Sequence, residues 1–368
     1  MSVPLECSIS NLVPVHYRIS ISFHWDTMTY SGSVVMSCRL HEPTNRIYLH
    51  ATPSLTLQSG ARAIQDKQSI PLQLAVAKDL SAADQDLHDL HGIPLTDVIQ
   101  CTVDSSAPLQ ASKLDIQIGF RGPIDCSGSH RGLFAPHPPS VNPQSTSAGG
   151  KGKREIKPKS GSGQSSSASG VPAGLMLATH FEPSYAHSVF PCVDFYDTKA
   201  TFALELSHIP KAYIAVSNMP IVKDAEMSGA GNSGYRTVCF APTPVMSAYL
   251  LAFAVGPFAC TQGQFVREMA SHATPTSTKA KPAAASAAAT AAKGPGVAIN
   301  IYIRDTSADT YPTDLVLKSV IAGLHWAEEY FQTPYSLPKL DVVIVPALCL
   351  GGVSNRKLSL RSFKGLVM

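Results

Sequence analysis

The sequence predicts a mainly β protein whose C-terminal part changes to a mixed α/β pattern. Short stretches of alternating apolar and polar residues, together with 28 prolines and an aromatic content of 7%, favour strands joined by loops over a helical bundle. An apolar stripe at helical spacing between two strand patterns, after residue 297, predicts the α/β part. We therefore divide the chain into a β-domain (1–260), a disordered linker (261–296) and the start of a second domain (297–368).

The strands of the β-domain are read from period-two alternation. Tyr17, Ile19, Ile21 and Phe23 alternate with polar residues, as expected of a strand with one buried face. Residues 121–123, Arg-Gly-Pro, are predicted to form a turn. The same reasoning predicts strands at 14–23, 30–40, 46–50, 72–76, 114–120, 202–206, 213–217, 235–240 and 248–255, the last buried on both sides.

Two low-complexity segments interrupt the strands. Residues 137–172 are rich in Ser, Gly, Pro and Lys, and residues 271–295 are rich in Ala, Thr, Pro and Lys. Neither contains enough apolar side chains to offset the entropy lost on ordering, so we expect disorder. They concentrate basic charge in a chain whose net charge is only +3. Because no aromatic residues are interspersed with the lysines, solvated loops are favoured over a nucleic-acid interface, which is the weaker alternative.

The C-terminal part predicts a strand, a helix and a strand. Between residues 313 and 331 an apolar side chain recurs every three or four residues, and Thr313 after Pro312 is a candidate N-cap. Strands are predicted at 297–304 and 340–345. The pattern indicates a mixed α/β domain, and about 70 residues of it are too few for an independent core.

Composition predicts a soluble, cytoplasmic protein. No basic segment followed by an apolar run opens the chain, so no secretory signal is predicted. The longest apolar run, 244–260, is interrupted by Gly256 and Pro257 and is shorter than the roughly 20 residues that span a bilayer, so no membrane partner is expected. The eight cysteines are scattered without a CxxC pair, which indicates free thiols. His88 and His91 would share a helix face, but two histidines do not complete a metal site.

Residues 179–202 carry the most specific pattern in the chain. They read Thr-His-Phe-Glu-Pro-Ser-Tyr-Ala, then Phe-Pro-Cys-Val-Asp, then Lys-Ala-Thr-Phe. This resembles the N-terminal domain of the M1 zinc aminopeptidases, which typically read Thr-Gln-Phe-Glu-Pro-Thr-x-Ala, Phe-Pro-Cys-x-Asp-Glu-Pro and Lys-Ala-x-Phe. Segments at 13–19, 131–134, 215–220, 249–253 and 338–346 resemble the same family in the same order. The resemblance implies a β-sandwich or saddle domain, then a thermolysin-like domain, and removal of N-terminal residues from peptides.

The resemblance also implies a site for the positively charged peptide N-terminus. One amine-binding acid of the family falls on Glu182, and His180 replaces the family's Gln. The family's second element is Gly-x-Met-Glu-Asn on an edge strand, and the residues at these positions are Gly351, Gly352, Val353, Ser354 and Asn355. A serine hydroxyl cannot supply the charge of the family's Glu, so half of the clamp is weakened. We expect Glu182 to face the edge strand across a shared cleft, away from open solvent.

The family's zinc site, HExxH with a downstream Glu, does not occur in this sequence. His41-Glu42 lacks the second histidine one helical turn later, and residues 356–368 depart from the family pattern. We therefore expect a fragment from a truncated or misread gene, inactive alone; zinc is implied by the family, but its ligand set is missing. Asp194 and Lys199 are interpreted as structural, joined in a local salt bridge, and the remaining histidines as structural.

The alternative is a non-catalytic, M1-like scaffold related to the TBP-associated transcription-factor subunits. Phe-Pro-Cys-Val-Asp at 190–194, without the following Glu-Pro, also suits that group. Phe-Glu-Pro at 181–183 and Pro-Lys-Leu-Asp at 338–341 favour the peptidases instead.

Overall fold

Among the described residues of this computed structural model, the chain forms three β-sheets and one α-helix. The structure describes residues 11–76, 95–105, 107–136, 171, 174–229, 231–267, 296–305, 311–346, 352–355 and 358–362, the last two ranges by their backbone. Within these ranges there is no helix with the length and hydrophobicity that crossing a membrane requires.

The strands and the helix follow one another in this chain order: β1 (Leu12–His24), β2 (Thr29–Leu40), β3 (Arg46–His50), β4 (Thr56–Leu57), β5 (Arg62–Gln65), β6 (Gln68–Val76), β7 (Val98–Val103), β8 (Lys113–Pro123), β9 (Gly132–Phe134), β10 (Leu177–His180), β11 (Thr201–Pro210), β12 (Ile214–Ser217), β13 (Ile221–Glu226), β14 (Tyr235–Phe240), β15 (Phe253–Gly256), β16 (Phe258–Phe265), β17 (Val297–Arg304), α1 (Thr313–Phe331), β18 (Lys339–Val345), β19 (Gly352–Asn355) and β20 (Leu358–Ser362). The mainly β fold class is therefore confirmed.

The first sheet has eleven strands in the order β13-β14-β11-β1-β2-β8-β5-β6-β7-β3, with β4 on β8. Its central strand β1 pairs antiparallel with β2 and parallel with β11. The predicted alternation is confirmed, because Tyr17, Ile19, Ile21 and Phe23 are each at most 2% exposed. Tyr17 stacks on Phe202 of the parallel neighbour, with ring centroids 4.9 Å apart. These apolar faces form the main core.

The predicted turn at 121–123 is wrong. Strand β8 continues to Pro123, and Gly122 pairs with Tyr30 of β2. A Cβ on Gly122 would lie 2.5 Å from the Tyr30 hydroxyl oxygen. The glycine therefore provides space for the buried Tyr30 side chain rather than the backbone freedom of a turn.

The second sheet has the order β12-β15-β10-β9, and both of its faces are covered. Leu177 and Phe253 belong to the main core, whereas Ala178 and Ala254 belong to a separate cluster with Val343 of β18. The predicted strand at 248–255 is too long, because a 3-10 turn occupies Ala248–Leu250. The Asn218 side chain donates to the Leu250 carbonyl (2.9 Å) and accepts from the Ala252 amide (2.8 Å), so this backbone bonds a side chain instead of a strand.

The third sheet is mixed, with the order β16-β17-β18-β20-β19. Strands β17 and β18 are parallel and α1 connects them, as the predicted α/β pattern requires. The linker prediction is wrong at its start, since residues 261–265 belong to β16 and pair with β17. Beyond Asn355, where the sequence departs from the family pattern, β20 still inserts between β18 and β19.

Helix α1 spans the predicted residues, but its predicted cap is wrong. The N-cap is Pro312 without a side-chain hydrogen bond, and the Thr313 hydroxyl bonds that of Thr261 at 2.8 Å. The second low-complexity segment, His88 and His91 lie outside the described residues. In the first segment Val171 is described and is buried in the main core, so the predicted disorder extends too far at its C-terminal end.

Candidate functional site

The family-like stretch begins at the end of β10, where His180 is the last strand residue. His180 pairs with Gly132 of β9 and is 2% exposed. Its Nδ1–H donates to the His130 carbonyl at 3.0 Å. Burial lowers the pKa of His180, so the ring is neutral at neutral pH and Nε2 is its acceptor nitrogen. The imidazole ring next to Glu182 is therefore uncharged and held in place by its hydrogen bond.

Glu182 lies directly after a buried anchor. Phe181 is fully buried and packs edge-on against Phe190, whereas Glu182 is exposed. The exposure differs from the shielded position that we expected, and its cause is local: Phe181 turns inward, and the chain leaves the sheet at the next residue. An exposed carboxylate attracts an ammonium group only weakly, because water screens it.

Arg131 is a charged residue of this region that our sequence reasoning missed. It is exposed, and its guanidinium lies over the Tyr185 ring, 5.0 Å from the centroid. Continuing the β9–β10 ladder beyond Gly132 and His180 brings Arg131 level with Phe181, next to Glu182. The charges of Glu182 and Arg131 act on the pKa of His180 in opposite directions. The Arg-Gly-Leu-Phe segment at 131–134 was the available signal, but we used it only as one of the segments that resemble the family.

A buried cluster of polar side chains fixes the rest of the stretch. The His187 Nδ1–H donates to Asp194 Oδ2 at 2.8 Å, and its Nε2–H donates to Asp97 Oδ2 at 3.3 Å. The Asp194 amide donates to His50 Nδ1 at 3.1 Å. Burial opposes a charged ring, but the hydrogen bonds to Asp194 and Asp97 outweigh it and raise the pKa of His187 to about 9.

The predicted salt bridge between Asp194 and Lys199 is therefore wrong. Asp194 is paired with His187, while the Lys199 ammonium donates to the Tyr196 carbonyl at 2.6 Å and contacts the Ser247 hydroxyl. Asp194 is structural as predicted, but its partner is His187 instead of Lys199. The sequence alone could not identify Asp97, since 90 residues separate it from His187.

The second part of the predicted amine site, residues 351–355, falls on an edge strand, of which the structure describes the backbone. Gly352, Val353, Ser354 and Asn355 form β19, which pairs antiparallel with β20 and is the last strand of the third sheet. Gly351 and the side chains of β19 lie outside the described residues. That this strand faces Glu182 stays a prediction.

A buried ion pair ties the second and third sheets together. Lys339 and Asp341, both on β18, are 9% and 1% exposed and contact each other directly. The Lys339 ammonium also donates to the Ser217 carbonyl of β12 at 2.8 Å, and Asn300 of β17 donates to Asp341 Oδ1 at 2.7 Å. The Pro-Lys-Leu-Asp motif at 338–341 therefore holds the sheet that contains the edge strand against the sheet that precedes Glu182.

The described residues do not fit a zinc ion. Among them no three His, Cys, Asp or Glu side chains are grouped as metal ligands. The cluster around His187 is already satisfied by its own hydrogen bonds.

Comparison with known proteins identifies the family. A model of the Peptidase M1 N-terminal domain matches residues 13–250, more than half of the chain. The chain is 24% identical to the thyrotropin-releasing hormone-degrading ectoenzyme of Rattus norvegicus over 352 residues, which are 95% of this chain and 25% of that protein. It is 24% identical to the endoplasmic reticulum aminopeptidase 1 of Rattus norvegicus over 348 residues, 94% of this chain and 28% of that protein.

A third relative, aminopeptidase Q of Homo sapiens, is 28% identical over 193 residues, 52% of this chain and 16% of that protein. The chain thus spans about a quarter of the length of the first two relatives. The family match includes the whole stretch from His180 to Asp194, and therefore Glu182. The chain therefore belongs to the Peptidase M1 N-terminal domain family.

Proposed function

We propose that this chain forms the part of an M1 aminopeptidase-type protein that recognises the N-terminus of a peptide, with Glu182 as the carboxylate that receives the ammonium group. The observation that carries the proposal is the family match over residues 13–250, which includes Glu182 between the buried anchors Phe181 and Phe190. A carboxylate on a rigid frame loses little conformational entropy when it accepts charge-assisted hydrogen bonds.

The edge strand would supply the second contact. Among the described strands β19 pairs with β20 alone, and an extended peptide can pair with its other edge through backbone hydrogen bonds, as edge strands do in many peptide complexes. Its side chains then lie alternately on either side of the sheet. The neutral ring of His180 does not compete with the ammonium for Glu182, because it adds no positive charge.

We propose that this protein binds peptide N-termini in the cytoplasm. The described cysteines are free thiols, which supports a reducing compartment. Zinc belongs to the family's chemistry, but the side chains that the structure describes do not form a ligand set for it, so we derive no hydrolytic step. We expect the 368-residue chain alone, incubated with zinc and aminoacyl reporters, to release no product above the rate of a heat-denatured control; turnover by the folded chain would contradict this.

Peptide binding tests the role of Glu182. We expect a peptide with a free N-terminus to bind about threefold more tightly than its N-acetylated form, a difference of about 0.7 kcal/mol, because water screens the exposed carboxylate. Glu182→Gln should abolish that difference, as measured by calorimetry or fluorescence anisotropy. Glu329→Gln, which changes another exposed carboxylate, on α1, is the matched control and should leave it unchanged. Equal affinity of the two peptides for the unmodified protein would refute the proposal.

A further inference from the structure

Arg131 is an exposed cation beside the candidate site, and it has no anionic partner in the part of the chain that the structure describes. Its guanidinium lies over the Tyr185 ring, 5.0 Å from the centroid, and no described residue forms a hydrogen bond or ion pair with it. Other arginines differ, since Arg236 and Arg267 each bind a carboxylate. The charge of Arg131 is therefore available to an anion from outside the chain.

One tight turn brings this cation to the side of Glu182. The backbone N–H of Tyr185 donates to the Phe181 carbonyl at 2.7 Å, so the chain turns back over residues 181–185 and Glu182 lies within the turn. Arg131 rests on the ring of the last residue of that turn, beside the end of β10. A cation and an anion therefore flank the same turn.

Both ends of this turn are held in place. Phe181 is fully buried, and the Ser188 hydroxyl donates to the Tyr185 carbonyl at 2.7 Å. Contact with the ring also restricts the conformations of the Arg131 side chain, so less conformational entropy is lost when it binds a ligand. A guanidinium presents a planar fork of N–H donors that matches a carboxylate. The turn therefore holds a cation that is suited to a carboxylate ligand.

Glu182 and Arg131 do not neutralise each other by direct contact. Both side chains are exposed, and within the described residues Glu182 has no ion pair or hydrogen bond. Their charges act on the pKa of His180 in opposite directions, which places both near the same ring. Two opposite charges without protein partners, on one turn, fit a ligand that carries an ammonium and a carboxylate a few bonds apart.

An acidic residue at the start of a peptide carries this pair of charges. We propose that Arg131 binds the side-chain carboxylate of the first residue, so that this turn selects peptides that begin with Asp or Glu. The ammonium of the same residue contacts Glu182. A basic first residue is repelled by Arg131, so the selection also has a repulsive component. The proposal rests on the proposed function and adds the class of first residue and the side chain that selects it.

Peptide affinity tests this selection. The probes are Glu-Ala-Ala-Ala amide and the same peptide with its glutamate side chain converted to the γ-N-methylamide, each with a free and with an acetylated N-terminus. The C-terminal amide removes a second carboxylate that could contact Arg131. We expect the acidic free peptide to bind about threefold more tightly than the neutral free peptide, because water screens an exposed ion pair. Raising the salt concentration from about 0.05 to about 0.5 M should reduce this difference.

Three variants make the test specific. Arg131→Gln should abolish the preference for the acidic peptide, while the neutral peptide should still bind more tightly with a free N-terminus than with an acetylated one. Arg131→Lys keeps the charge without the planar fork and should keep part of the preference. Arg39→Gln, which removes another exposed arginine, on β2, is the matched control and should bind as the unmodified protein does. Calorimetry measures the affinities, and circular dichroism should show that all the proteins are equally folded.

Two outcomes would overturn the proposal. The first is equal affinity for the acidic and neutral peptides in a protein that still prefers a free N-terminus to an acetylated one. The second is a preference for the acidic peptide that Arg131→Gln leaves unchanged, which would assign the selection to another cation. Equal affinity for the free and acetylated forms of the neutral peptide would instead refute the role of Glu182, so the two proposals fail separately.

Discussion

Two buried polar clusters lie in the motifs by which the chain resembles its family, and they differ in what they connect. The cluster around His187 joins two loops to the end of strand β3 within one core. The pair of Lys339 and Asp341 instead joins two sheets, because the ammonium also reaches the carbonyl of Ser217. The first motif therefore fixes loops within one core, and the second fixes the position of one sheet relative to another.

The clusters also differ in the chemistry of their cation. His187 has an imidazolium that can lose its proton within an accessible pH range. Lys339 instead pairs directly with the buried carboxylate of Asp341. We therefore expect the His187 cluster to respond to pH and the Lys339 pair to respond to substitution. The following changes test this contrast, beginning with the largest expected effect.

Asp341→Ala should destabilise the protein by about 3–5 kcal/mol, because it leaves the ammonium of Lys339 buried without its carboxylate. Urea unfolding measures the change in the free energy of unfolding. The double variant Lys339→Met with Asp341→Leu removes both charges and keeps apolar volume, so it should be less destabilised than the single variant. If the double variant loses as much unfolding free energy as Lys339→Met and Asp341→Leu lose together as single variants, the attraction within the ion pair does not explain the destabilisation.

The pH dependence of stability should identify His187. Its pKa is about 9 in the folded protein against an ordinary value of 6.5, so the folded state binds the proton more tightly. The stabilisation is then complete below about pH 6.5 and is lost as the pH rises through 9. Each pKa unit corresponds to about 1.4 kcal/mol, so the expected effect is on the order of 3 kcal/mol.

The measurement compares the unmodified protein with His187→Gln at pH 6, 7.5 and 9.5. The difference in unfolding free energy should shrink with increasing pH, because the glutamine does not titrate. The groups that face His187 from neighbouring elements are Asp97, Asp194 and His50. Val222→Ser, at an exposed position of β13 without a titratable group, is the control and should show no such trend. A constant difference across the three pH values would exclude a protonated His187.

These clusters also mark how far the sequence alone could lead. Period-two alternation identified β1, and helical spacing identified α1, because both signals are local. The shortened β15 was missed because the decisive contact comes from Asn218, a side chain more than 30 residues earlier in the chain. The start of β16 was missed because its partner β17 lies beyond a low-complexity segment, and pairing across such a distance leaves no local pattern.

The candidate site also combines features that local sequence predicts with features that depend on long-range pairing. The resemblance placed Glu182 and His180 in one motif, and the structure adds that one is exposed and the other buried. Local residue types cannot predict that difference, since it depends on how β9 and β10 pair. Arg131 enters the site only through that pairing.

Substitution of Asp97 provides the smallest and sharpest comparison within the His187 cluster. The Asp97 side chain is 16% exposed and lies 3.3 Å from the ring, whereas Asp194 is 2% exposed and lies 2.8 Å from it. Asp97→Asn should therefore cost about 1 kcal/mol, because water partly solvates this carboxylate and the amide can still accept a hydrogen bond. Asp194→Asn should cost about 3 kcal/mol, since it removes the buried charge that stabilises the imidazolium. In both variants the pH at which stability is lost should move below 9, and further for Asp194. Urea unfolding at several pH values distinguishes them, and equal effects of the two substitutions would show that burial does not rank the two carboxylates.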